Sequence, residues 1–168
     1  VAGTSWLSHR AWLEHSCRVL TLVRSSVAYA CQIERLTYEQ ELEAVLERRG
    51  RFGHREHLEL AWRYLRIADL GTAERLMAAA IRHLASAHGT PDRYHHTVTL
   101  SWVRLVAVHM TCCDAATFDA FLARNEGLLD RQLVAKHYSS TTLSDPASRS
   151  GWVQPDLRPL PVLARPAG

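Results

Sequence analysis

A chain of 168 residues, 47% hydrophobic and 22% charged, has the composition of a globular core-former and needs no disulfide or metal merely to fold. Its net charge of +3 arises from nineteen arginines and a single lysine, Lys136, scattered among seventeen acidic residues; the arginines are not interleaved with exposed aromatics, which argues against a nucleic-acid platform. The longest apolar stretch, "VLTLVRSSVAYAC", is interrupted by Arg24 and is too short to span a bilayer.

Residues 1–36 read as an N-terminal helical or partly disordered extension, in which Trp6, Trp12, Leu20 and Val23 could line a helix. "AYA" before Cys31 resembles a signal cleavage site, but the charge inside the apolar stretch argues against secretion. The four cysteines, Cys17, Cys31, Cys112 and Cys113, form no C-x-x-C pair, and a reducing, cytoplasmic compartment is the simplest expectation.

From Thr37 the punctuation is helical. "TYEQ" is a capping box, with a helix expected to about Arg49 and Gly50 supplying its left-handed end. The arginine cluster Arg48, Arg49, Arg51 and Arg55 reads as a solvated helix end. A second helix is expected from near Gly53 to near Asp69. "GT" at 71–72 opens a third, ending at Gly89. Thr90, Pro91 and Asp92 together signal the start of a fourth, running to about Met110. A fifth follows, capped by Asp114. Beyond about Asp130 the periodicity fades: "HYSSTTLSDPAS" offers one short turn, and "WVQPDLRPLPVLARP" should be extended because of its prolines. The fold class is therefore all-α: a bundle of about five helices over 37–130, with an extended Pro-rich C-terminal arm within 131–168.

Two histidines stand out. At about 100° per residue, His54 falls mid-face among Leu58, Ala61, Trp62 and Leu65, and His57 lies on the same apolar side. Arg55, Glu56, Glu59, Arg63 and Arg66 fill the opposite arc. On the fourth helix, His95 shares an arc with Val98, Trp102 and Leu105, while Thr97, Ser101 and Arg104 lie opposite. If these helices share an end of the bundle, His54, His57 and His95 converge there as ligands for one divalent ion, zinc or iron, and three histidines with an open position would make a catalytic site. His137 and Asp130 are the candidate proton carriers or further ligand. A metal-free polar pocket and plain hydrogen-bonded packing are the competing readings. H-x-x-H is a weaker signal than H-E-x-x-H, and His83 and His109 read as core or groove residues.

"FGHREHLELAWRYL", "RYHHTVTLSWVRLV", "KHYS" and "GWVQPDLRPLP", in that order over residues 52–161, resemble a group of small uncharacterised bacterial all-α proteins. The resemblance implies an all-α fold and supplies no function. In that group a glutamate often follows the histidine matching His95, where this chain has His96. A catalytic role for that glutamate would make this chain altered; a capping role would change little.

The function expected from these residues is a small-molecule enzyme with a His-lined pocket that holds or lacks a metal, acting by hydrolysis, elimination or oxidation. The alternative is a non-catalytic helical ligand-binding or adaptor protein with a His-lined groove. The expected partner is a small-molecule substrate or ligand rather than nucleic acid or a membrane, with homo-oligomerisation left open. Trp152, Val153 and Leu157 mark the arm as a segment able to lie across the bundle, either closing the histidine pocket or simply packing.

Overall fold

Short links dictate the arrangement. Helix α2 (His54–Ile67) and helix α3 (Leu70–Ala87) are joined only through Ala68 and Asp69, which forces them side by side in opposite directions. A computed structural model describes residues 39–48 and 52–161. The 1–36 extension, Thr37 of the capping box, Arg49 to Arg51, Cys17, Cys31 and residues 162–168 lie outside the described residues. Helix α1 occupies 39–48, and its inward positions Leu42 and Val45 are buried.

Several boundaries differ from the sequence expectation, each for a local reason. Helix α3 begins before Gly71, because the Asp69 carboxylate accepts from the Thr72 amide at 2.8 Å and so caps the helix. It ends in a Schellman turn: Gly89 takes φ 65°, the Gly89 amide donates to Ser86 O and the Thr90 amide to Ala85 O. The Thr90 hydroxyl also donates to Ala85 O, so it caps nothing downstream. Thr90-Pro91 accordingly opens only a single 3₁₀ turn, Pro91–Arg93. Tyr94 and His95 are extended, and helix α4 (His96–Thr111) starts with His95 as its cap.

The fifth helix is also shorter than expected. Thr117, not Asp114, caps α5 (Phe118–Ala123), and a 3₁₀ turn follows at Glu126–Leu129. In place of one short turn after Ser139 there are two short helices, α6 (Ser140–Ser144) and α7 (Pro146–Ser150). The side chains of Ser139 and Asp145 cap them, and Pro146 sits at the first helical position. The arm begins at Gly151. The described residues thus form an all-α bundle with an extended arm and no strand. Among them no helix is long and apolar enough to cross a membrane.

Helices α2 and α4 are enclosed over most of their length, including much of the faces that the helical wheel assigns to solvent, and only their last residues, Arg66, Ile67 and Thr111, are exposed. Glu59 is 0% exposed. Arg48 of α1 meets it at 2.7 Å, and Arg63 reaches both Glu59 and Glu41 of α1. On α4, Thr97 is buried beneath the arm, and Ser101 is buried with its hydroxyl on Thr97 O. The Thr97 hydroxyl donates to Gly151 O at 2.8 Å and accepts from the Val153 amide at 3.1 Å. The Tyr138 hydroxyl donates to Val153 O, and Trp152 lies under the Arg104 guanidinium, 3.7 Å from the ring centre. Leu160 closes the far end of the arm at 8% exposed.

Replacing Thr97 by Val should leave the part-buried Gly151 carbonyl and Val153 amide without their partner. The expected cost is about 1–3 kcal/mol, read by chemical denaturation, with a fall of several degrees in Tm. Limited proteolysis should then release the arm from Gly151 onward before it cuts α2–α4. Thr97→Ser should restore both the stability and the protection.

Candidate functional site

The antiparallel pairing of α2 with α3 sets the start of one beside the end of the other, and a cleft of about 690 Å³ opens at that end. Its walls are Leu46 of α1, Phe52, Gly53, His54 and His57 at the start of α2, Ile81, Leu84 and Ala85 of α3, and His88, Thr90, Arg93 and Tyr94 of the following turn. The volume lies within the range of small-molecule sites, and six of the twelve lining residues carry polar side chains beside the apolar ones.

His54 is fixed from two sides. Its Nε2–H donates to Leu128 O at 2.9 Å, and its ring stands edge-on to Trp102 of α4 with centroids 4.5 Å apart. With Nε2 donating, Nδ1 carries the free lone pair. Burial lowers the pKa of His54; the Leu128 carbonyl opposes that shift and Arg131 adds to it. His57 is held more strongly in the neutral form. Burial, with His54 adding a smaller push, lowers its pKa to about 3. Its Nε2 is closed off from solvent and has no hydrogen-bond partner among the described residues, a state that costs on the order of 1–3 kcal/mol. The first turn of α2 is held by Glu56, whose Oε2 accepts from the Gly53 amide at 2.9 Å.

The other candidates are placed elsewhere. His95 is at the same end of the bundle, but His54 meets α4 at Trp102, roughly two turns further along. His95 does not line the cleft. Its Nδ1 accepts from the Val98 amide and its Nε2–H donates to Leu143 O at 2.9 Å, so both nitrogens serve to cap α4 and anchor α6. His54 and His57 come together; His95 does not join them. Among the described residues no group of three or more histidine, cysteine, aspartate or glutamate side chains is placed to hold a metal ion.

His137 is buried, and its Nδ1–H is shared between Arg158 O and Pro159 O at 3.0 and 3.1 Å. Its own carbonyl accepts from the Leu157 amide, so it clamps the arm. Asp130 is exposed and accepts from the Gln132 amide and from Lys136 Nζ. Those bonds, the amide first, lower its pKa. Neither residue lines the cleft. The arm lies elsewhere: Trp152 packs under Arg104, and the arm lines a separate cavity with Leu70, Arg104 and Val108, so it does not lid the cleft. His109 bonds to Asn125 Oδ1 at 2.7 Å.

Arg93, Tyr94 and His88 are cleft residues that the sequence reading passed over. Tyr94 is braced by its hydroxyl bond to His96 Nδ1 at 2.7 Å and by Arg82, 5.2 Å from its ring centre. Reading Thr90 as the cap of a long helix placed Arg93 and Tyr94 inside that helix. The usable signal was the short α2–α3 link, which carries the "HGTPDRY" turn to the start of α2.

The neutral state of His57 has a consequence for stability. The unfolded ring takes up a proton near pH 6.5 and the folded ring only near 3. Stability from this residue is full above pH 6.5 and is lost as the pH falls through that window, at roughly 1.4 kcal/mol per unit. His57→Leu should flatten this dependence in urea titrations between pH 7 and 4. It should also raise Tm at pH 7, because the variant has no unpaired imidazole nitrogen. A pH slope equal to that of the parent would mean that the folded and unfolded rings take up a proton over the same pH range.

Comparison with family models, with curated proteins and with solved structures finds no match for this chain, so its function rests on the chemistry of its own side chains.

Proposed function

We propose that this protein binds a small organic molecule in the cleft between α1, α2, α3 and the 91–93 turn. One observation carries the reading. The cleft of about 690 Å³ gathers His54 and His57, held neutral, against the apolar surface of Leu46, Phe52, Ile81 and Leu84. A neutral imidazole makes hydrogen bonds without demanding a counter-charge, which suits a ligand that leaves water for an apolar wall. The buried, unpaired Nε2 of His57 gives the position a cost that packing alone does not explain.

This reading is the non-catalytic one of the two expected from the sequence. The acid–base reading draws less support, because His137 and Asp130 brace the arm and a turn away from the cleft. The metal reading draws less support as well, because neither nitrogen of His95 is left to bind an ion.

The neutral fluorophore N-phenyl-1-naphthylamine tests it. Its emission should rise on saturable binding at one site per chain. Ala85→Trp, which fills the cleft from α3, should abolish that binding while leaving the helical circular dichroism signal and Tm close to the parent values. Undiminished binding by the Ala85→Trp variant would place the ligand elsewhere and overturn the proposal.

A further inference from the structure

We infer that the ligand class is a small monocarboxylate with an apolar body, its head group held by Arg93. This inference rests on the cleft reading above and adds the charge of the ligand.

Among the described residues, the lining contains one permanent cation, Arg93, and no carboxylate. Arg93 is exposed at the rim, and among the described residues its guanidinium has no hydrogen-bond or ion-pair partner. The other arginines beside this turn are engaged: Arg82 of α3 lies over the Tyr94 ring, and Arg149 of α7 donates to the carbonyls of Asp92 and Tyr94. They still add positive potential at the mouth of the cleft. Glu56, the carboxylate in the first turn of α2, is 4% exposed, accepts from the Gly53 amide and does not line the cleft. Its charge is felt at His54, which favours an anionic head group at Arg93 on the rim over one beside the histidines. His54 and His57 contribute hydrogen-bonding groups and no charge near neutral pH. A single guanidinium therefore matches a single negative charge, and its planar fork fits a carboxylate. Beyond it the wall turns apolar, at Phe52, Ile81 and Leu84. A hydrocarbon or aromatic body can leave water there while the head group stays at the rim. A dianionic phosphate would leave a second charge unmatched.

Displacement of N-phenyl-1-naphthylamine by octanoate and by octanamide, both below any micellar range, separates the two claims. Octanoate should displace the probe at roughly tenfold lower concentration or better, as expected for a charge-assisted bond. Arg93→Gln should reduce octanoate to the level of octanamide without moving octanamide itself, and added salt should weaken only octanoate. Equal potency of the two compounds on the parent protein would overturn the monocarboxylate assignment and leave the ligand cleft standing. If the probe itself finds no single site, the cleft reading falls and this inference falls with it. Stronger displacement by octyl phosphate than by octanoate would also reject the monocarboxylate class.

Discussion

Two helices enclosed over most of their length, each carrying buried polar side chains, set the terms for the rest of this protein. Helices α2 and α4 bring Glu59, Thr97 and Ser101 into the interior at 0% exposure. A buried charge or hydroxyl is tolerable only when another group answers it, and removing one partner costs more than the pair contributes. Helix α1 answers the first with Arg48, and the arm answers the second with the backbone of Gly151 and Val153. Segments that look peripheral along the chain are therefore required by the polar content of the two central helices.

The same close packing explains where the cleft lies. The two-residue link after α2 and the Schellman turn after α3 bring the start of α2, the end of α3 and the approach to α4 to one end. The extended Tyr94 and His95 spread that end apart instead of continuing a helix across it. His54 is held there from behind by Leu128 and Trp102. An opening therefore forms between well-braced walls, where a ligand meets groups already held in position.

Much of the architecture was legible from the sequence. Caps and glycines marked the bounds of α2 and α3 closely and the presence, though not the starts, of α4 and α5, and the prolines from Pro155 marked the arm. The wheel was right about the apolar faces and incomplete about the polar ones. A helical wheel assigns a charged arc to solvent by default, and it cannot show that Arg48 arrives to cover Glu59 or that the arm covers Thr97. The site was legible by half for a related reason. The positions of His54 and His57 follow from the period of a single helix. The fate of His95 depends on Leu143, 48 positions away, whose carbonyl takes its Nε2–H. Arg93 and Tyr94 were hidden by a cap signal that proved to belong to a single 3₁₀ turn.

Thr97 and Gly151 are separated by 54 positions. At ordinary rates of translation the ribosome needs roughly 3–10 s to add that length of chain. For that interval α4 exists without its cover, its hydroxyls hydrated and the surface meant for Trp152 bare. Enclosure of α4 is thus a late step in biogenesis. A nascent chain that stalls before the arm emerges presents this incompletely covered helix to chaperones and proteases.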